Sequence, residues 1–297
     1  MKDGIRNSRS KRISEAFSLA ATAYDSGAGL QRAVAIEFLE TITSPGIDPS
    51  NPEMILEIGC GTGFLTRGLN RCFPAATVAG CDIAHSMTTV ASGQVKGSAF
   101  HPITADGAAL PFKNATFNLA ASSLTYQWFA DLSNAFSEAF RVLAPGGALT
   151  FSLLGEGTFK ELNTSYREAS RAARRDGLPP LMEFPSQSQI IAALERSGFH
   201  HPSLTISSRK RVYNDLFSLI RAVRRIGAAN PSPEGDRSLA RGSLLRDMSR
   251  LYGEMFSVVP HMRQEGSHNT PAGEGSTTAW KQVYATYNII FCTAEKG

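Results

Sequence analysis

Apolar residues recur every three to four positions at Ile13, Ala16, Phe17, Ala20 and Tyr24, which predicts an amphipathic helix ended by Gly27 and Gly29. The same period returns at Leu30, Val34, Phe38, Leu39 and Ile42, until Pro45, Gly46 and Pro49 break it. The pattern then changes. Met54 to Ile58 is a short apolar run entering the cluster Gly59-Cys60-Gly61-Thr62-Gly63, and a helical stripe of Phe64, Leu65, Leu69 and Cys72 follows. That is a strand, a tight loop and a helix. Further strands are predicted at Thr77 to Cys81, Ile103 to Ala105, Phe117 to Ala121 and Ala148 to Leu154, with a helix from Leu132 to Leu143 and a turn at Pro145-Gly146-Gly147 before the last. Strands alternating with helices imply a parallel sheet covered on both faces. Beyond Gly155, helices are expected at Thr158 to Arg175, Ser186 to Ser197, Asp215 to Ile226 and 237 to 256, with a turn at Pro179-Pro180. A strand is read at Leu204 to Val212, a Gly/Ser/Thr-rich loop at 260–279 and a closing strand at Val283 to Thr293.

The 297 residues are 42% hydrophobic and 19% charged, enough apolar material for a packed core. No run approaches the ~20 apolar residues of a membrane helix, and the basic N-terminus precedes no apolar secretory core. A cytoplasmic protein without a membrane segment is expected. Cys60, Cys72, Cys81 and Cys292 show no Cys-x-x-Cys spacing and no clustered histidines, so reduced thiols are expected rather than a disulfide framework or a metal site. The net charge of +4 is unevenly spread: −6 over residues 13–159 and +6 over 160–225. The basic excess shows little interleaving with aromatic residues, which argues against nucleic acid as a partner.

The glycine cluster carries the candidate chemistry. Glycines at alternate positions after a strand let a ligand approach the backbone, and the next helix offers free N–H groups. Asp82 ends the following strand 19 positions after Gly63, where a carboxylate can accept both hydroxyls of a ribose. An NAD site would want Gly-x-Gly-x-x-Gly, whereas this chain has Gly-x-Gly-x-Gly preceded by Glu57. A carboxylate below the loop repels phosphate and attracts a cationic amino-acid moiety, which S-adenosyl-L-methionine presents.

On LEIGCGTG, Asp82, Ala105-Asp106-Gly107 and the stretch LPFKNATFNLAASSLTYQW leading to RVLAPGGALTFS, the chain resembles the class I S-adenosylmethionine-dependent methyltransferases over roughly residues 52–155. The resemblance implies a Rossmann-like α/β sheet of seven strands, mostly parallel with an antiparallel C-terminal strand. Helices would cover both faces and a helical cap would complete it. One methyltransferase domain would span 1–297, with an N-terminal helical lid at 1–45, a cofactor-binding core at 52–155 and cap segments at 156–200 and 213–279. Glu57, Gly59, Gly61, Gly63, Asp82, Ile83, Met87, Asp106, Gly107, Ser123 and Gln31 would line the cofactor, Ile83 and Met87 lying against adenine.

After the fourth strand the chain has Ser122-Ser123-Leu124-Thr125-Tyr126-Gln127 in place of the Asn/Asp-Pro-Pro-Tyr/Phe of nitrogen methyltransferases, so oxygen or carbon acceptors gain. AFSLAATAYDSGAGLQR, SLTYQWFADLSNAFSEAFRVLAPGG, FSLLGEGTFKEL, LIRAVRRIGAAN and the closing TYNIIFCTAEKG are similar to the malonyl-acyl-carrier-protein O-methyltransferases that open biotin synthesis, the BioC family. A malonyl carboxylate has a pKa of about 4 and needs no general base at neutral pH. The resemblance and local charge point to Arg221 as its clamp, with Trp128, Gln127 and Tyr24 on the substrate side. Arg171, Arg174, Arg175, Arg224 and Arg225 could meet the acidic surface of a malonyl-acyl carrier protein, and a monomer is expected. No histidine is assigned a role. The alternatives are a methyltransferase of a small carboxylic acid such as aconitate, and a non-catalytic assembly factor that keeps the fold.

Overall fold

In a computed structural model, residues 2–21, 24–43, 51–97, 99–174, 181–225, 242–258 and 282–297 are described. The expected turns at Pro45 to Pro49 and Pro179-Pro180 and the loop at 260–279 lie outside them, as do Arg175 and the side chains of Arg224 and Arg225.

The sheet forms as the alternation implies. Its strands are β1 (Met54–Ile58), β2 (Thr77–Asp82), β3 (Phe100–Thr104), β4 (Phe117–Ser123), β5 (Leu143–Leu154), β6 (His200–Tyr213), the two-residue β7 (Ser257–Val258) and β8 (Gln282–Glu295). Their order is β3-β2-β1-β4-β5-β8-β6, with β7 pairing β8. The first five pair in parallel, and β8 runs antiparallel between β5 and β6, Phe151 opposite Cys292 and Leu204 opposite Cys292 on the other side. The expected seven strands are therefore present, with the short β7 as an eighth. β5 begins at Leu143, five residues earlier than expected, because Leu143 already pairs with Phe117 and the turn residues form an irregularity before Ala148 pairs with Leu119.

Ten helices are described: α1 (Lys2–Ala20), α2 (Tyr24–Gly27), α3 (Gly29–Ile42), α4 (Phe64–Cys72), α5 (His85–Gln94), α6 (Leu132–Val142), α7 (Lys160–Ala172), α8 (Gln187–Arg196), α9 (Leu216–Arg225) and α10 (Gly242–Phe256). The stripe read as one helix from Ile13 to Tyr24 is divided between α1 and α2. Helix α5 has a weak signal in the sequence, because Thr88, Thr89 and Gly93 lower its propensity; burial of Met87 and Ala91 holds it.

Alternate residues of the strands feed two cores. On one face Ile55, Val78, Leu119 and Phe291 pack with residues of α3, α4, α7, α9 and α10. On the other, Leu56, Ala79, Ala120 and Ile290 pack with α6 and α8. The second core centres on Tyr126, Phe136 and Phe151, whose rings lie 4.7 to 5.1 Å apart. Truncating a buried aromatic of this kind typically costs about 3–5 kcal/mol. Helix α7 is tied to the sheet by a buried carboxylate: its Glu161 accepts from Thr286 N at 3.0 Å and from Thr286 Oγ1 at 2.5 Å. Both oxygens are thus satisfied, which is what a fully buried carboxylate requires.

Candidate active site

At the C-terminal ends of β1, β2 and β4 a cavity of about 530 Å³ opens, within the usual range for a small-molecule site. One wall is Gly59, Gly61, Asp82, Ile83, Met87, Asp106 and Gly107; the other includes Phe17, Tyr24, Leu124 and Trp128. A second, smaller space of about 60 Å³ adjoins it, sharing Tyr24, Gly59, Gly61 and Ser123, and is further lined by Gln31, Arg32 and Glu57.

The glycine loop is locked to β2. Gly59 N and Cys60 N both donate to Cys81 O, at 2.8 and 3.0 Å, and Gly61 N donates to Asp82 Oδ2 at 3.0 Å. The other Asp82 oxygen accepts from Ala84 N at 2.9 Å. Burial raises the Asp82 pKa, and these backbone donors oppose the rise. Gly59 sits at φ +79°, and a Cβ there would come 2.1 Å from Thr125 Oγ1. Gly61, at φ +52°, has open space where a Cβ would go and faces the cavity.

Glu57 lies beneath the loop, 1% exposed, accepting from Thr66 Oγ1 at 2.5 Å. Burial pushes its pKa up to about 8, the Thr66 bond opposes this, Asp82 adds to it and Arg67 subtracts. Its neighbour in the smaller space, Gln31 Oε1, is buried without a hydrogen-bond partner among the described residues. A buried carboxyl whose ionised form a cation would favour, and an orphaned amide oxygen, together suit a cationic donor. Thr62 Oγ1 donates to Asp25 Oδ1 at 2.7 Å, which fastens α2 to the loop.

The N-terminal helix closes the far side. Ser10, Ile13 and Phe17 of α1 face the cavity, and Ser14 Oγ donates to Ile83 O at 3.1 Å. The Phe17 ring meets Trp128 edge-on at 5.7 Å and Tyr24 at 6.3 Å. The sequence places Phe17 in a helical stripe of the expected lid and not among the site residues; the family-like segment from Ala16 to Arg32 was the signal that could have found it.

Ten of the expected site residues meet in the larger cavity: Tyr24, Gly59, Gly61, Asp82, Ile83, Met87, Asp106, Gly107, Ser123 and Trp128. Gln31 and Glu57 join through the smaller space. Three do not line either. Gly63 is the left-handed residue that starts α4, at φ +81°, and packs on Val95. Gln127 turns back, its Nε2 donating to Leu124 O at 2.6 Å. That bond and Leu124 N to Ser152 O at 2.8 Å hold Leu124 at φ +51°, a conformation that costs a bulky residue about 1–2 kcal/mol, with its side chain on the cavity wall. Arg221 is exposed on α9, its Nη2 donating to Ser218 Oγ at 2.9 Å. Arg221, expected as the clamp, therefore stands outside the cavity: the helix turns its apolar residues inward and leaves the guanidinium in solvent.

Among the described residues no group of three or more His, Cys, Asp or Glu could hold a metal, and no helix is long and apolar enough to cross a membrane. Cys81 faces the cavity, and burial raises its thiol pKa, which leaves it neutral.

Residues 56–151 match the family described as Methyltransferase domain. A putative methyltransferase from Bacillus halodurans has a similar fold, with TM-score 0.57 at 15% identity over 89% of this chain and 99% of that one. Sheet order, glycine loop and matched domain together define a class I methyltransferase, the class that depends on S-adenosylmethionine. Over 247 residues the chain is 34% identical to a malonyl-acyl-carrier-protein O-methyltransferase from Geobacter sulfurreducens, covering 83% of this chain and 91% of that protein. It is 32% identical over 250 residues to the biotin biosynthesis bifunctional protein BioHC of Saccharophagus degradans, covering 84% of this chain and 43% of that one. The chain belongs to the malonyl-acyl-carrier-protein O-methyltransferase family.

Proposed function

We propose that the protein methylates the free carboxylate of a malonyl thioester carried on acyl carrier protein, using S-adenosyl-L-methionine, and so forms the methyl ester that enters biotin synthesis. The observation that carries this reading, beside family membership, is a cavity whose one wall suits the cofactor and whose other wall, Phe17, Leu124 and Trp128, is apolar. The cofactor's sulfonium supplies an electrophilic methyl group.

Asp82 would receive the ribose hydroxyls and Asp106 the adenine amine, while Ile83 and Met87 would lie against the ring. Gly59 and Gly61 leave room for the methionine portion, and Gln31 Oε1 with Glu57 would meet its ammonium. The open space beside Gly61 and the unpaired Gln31 oxygen support this fit. Helices α1 to α3 would act as the lid expected at 1–45, and α7 to α10 would contribute the described part of the expected cap.

The acceptor carboxylate is already ionised at neutral pH, so the site requires no general base. Phe17, Leu124 and Trp128 would exclude water around the methyl group, so that the carboxylate oxygen approaches it in a confined, water-poor space. Orientation of bound reactants can lower a barrier by up to ~7–11 kcal/mol. The test is mass spectrometry of the carrier after incubation with cofactor, with succinyl-carrier and free malonate as controls. One added methyl group, about 14 Da heavier, on the malonyl carrier alone is expected. Methylation of free malonate in preference to the carrier would instead point to a small-acid methyltransferase.

A further inference from the structure

Several arginines of the described surface are matched by a carboxylate. Arg141 pairs with Glu138, Arg171 with Glu168, Arg209 with Glu37 and Arg250 with Glu254. The junction of β6 and α9 differs. Arg211 and Val212 are exposed at the end of β6, and Phe217 and Arg221 lie one turn apart on the outer face of α9. Val212 is 52% exposed and Phe217 39%, while Leu216, Leu219 and Val223 of the same helix are buried. Among the described residues neither Arg211 nor Arg221 forms an ion pair. The nearest carboxylate to Arg221, Asp215, is already engaged: it accepts from Ser218 N at 2.6 Å at the start of α9. Arginine and aromatic side chains left open together have the composition of an interface core.

The patch also borders the site. Helix α9 packs against α2, whose Tyr24 lines both spaces. On the other side of α2, a Cβ on Gly29 would come 3.3 Å from Arg211 Nη2. A partner seated here would rest on the helix that packs against α2, and so beside the cavity wall. Charge gives the partner its sign. Residues 13–159 carry −6 and would repel an acidic protein, whereas residues 160–225 carry +6.

We propose that the Arg211, Val212, Phe217 and Arg221 surface is where the carrier protein docks through an acidic face. The proposal rests on the carrier-dependent reading above. Opposite charges would steer encounter and fix orientation, and the exposed Phe217 and Val212 would supply apolar contact.

The test compares wild type with an Arg211→Glu/Arg221→Glu double variant and with Phe217→Ser. Two readouts are used: turnover of malonyl-carrier against malonyl-pantetheine, which has the thioester without the protein, and anisotropy of labelled malonyl-carrier. For the double variant kcat/KM on the carrier is expected to fall about tenfold or more, mainly through KM, with the salt dependence of wild type largely lost. Phe217→Ser should weaken carrier binding at all salt concentrations. Turnover of malonyl-pantetheine and cofactor affinity should stay within about twofold. Carrier binding and turnover undiminished in an active wild-type background overturn the docking surface alone. An equal fall on both substrates overturns it too, placing these residues in the catalytic site. A wild type that methylates no malonyl substrate overturns the functional reading and the docking surface with it.

Discussion

Gly59→Ala is expected to destabilise the folded protein by about 3 kcal/mol or more and to abolish cofactor binding. The backbone at φ +79° costs an L-residue about 1–2 kcal/mol by itself. The added Cβ would also meet Thr125 Oγ1 at 2.1 Å and Thr125 Cβ at 2.8 Å, so the whole threonine must move and not merely its tip. Thr125 cannot retreat freely, because it lies between Leu124, held by Ser152 and Gln127, and the turn at Tyr126–Trp128. Gly61→Ala provides the contrast. Its Cβ would meet no protein atom within 4 Å and would project into the cavity space. That variant should lose only about 1–2 kcal/mol of stability while its cofactor affinity falls about tenfold or more. Thermal unfolding and calorimetric titration separate the two effects. Equal behaviour of the two variants would mean that the loop is not the cofactor cradle.

The second large effect is electrostatic and concerns Glu57. Its carboxyl is raised from 4.5 to about 8, chiefly by burial, so the folded protein holds this proton more tightly than the unfolded chain. The corresponding stability is fully present below about pH 4.5 and is lost as pH rises through about 8. A shift of this size corresponds to about 5 kcal/mol. Glu57→Gln carries no such proton, so its stability should fall far less than that of wild type between pH 5 and 9, as measured by denaturant unfolding. Ligand binding should show the opposite trend. A cationic ammonium beside Glu57 favours the ionised form, so cofactor affinity should strengthen as pH rises from about 6 to 8 and binding should release protons below the raised pKa. Calorimetry in buffers of different ionisation enthalpy would detect that release. An affinity independent of pH, with the same profile in Glu57→Gln, would remove Glu57 from the ammonium site.

Both effects trace to residues that stood out in the sequence, and the contrast with those that did not is instructive. The Gly59 to Gly63 loop, Asp82 and Asp106 were legible because each follows a strand directly, and a strand end fixes where its next residue points. Helix α5 was not, because Thr88, Thr89 and Gly93 lower its helix propensity and burial of Met87 and Ala91 holds it. Glu161 reads as an ordinary surface charge on an amphipathic helix, yet it is 0% exposed and bonded to Thr286, 125 positions away. Arg221 was singled out by the resemblance and local charge, whereas its orientation depends on packing: the buried set Leu216, Leu219 and Val223 turns it outward.

The sequence by itself determined the alternation of strands and helices, the loop that leaves a backbone open to a ligand and the carboxylates at strand ends. These depend on local periodicity and on residue types that tolerate particular backbone angles. Only the tertiary structure decided that β8 inserts antiparallel between β5 and β6, that α1 lays Phe17 across the cavity onto Trp128, that Leu124 is held at positive φ and that Arg211 and Arg221 remain open to a partner. Local pattern tells which face of an element is buried. What that face is buried against depends on contacts between residues far apart in the chain, and these are chosen by how well whole surfaces pack.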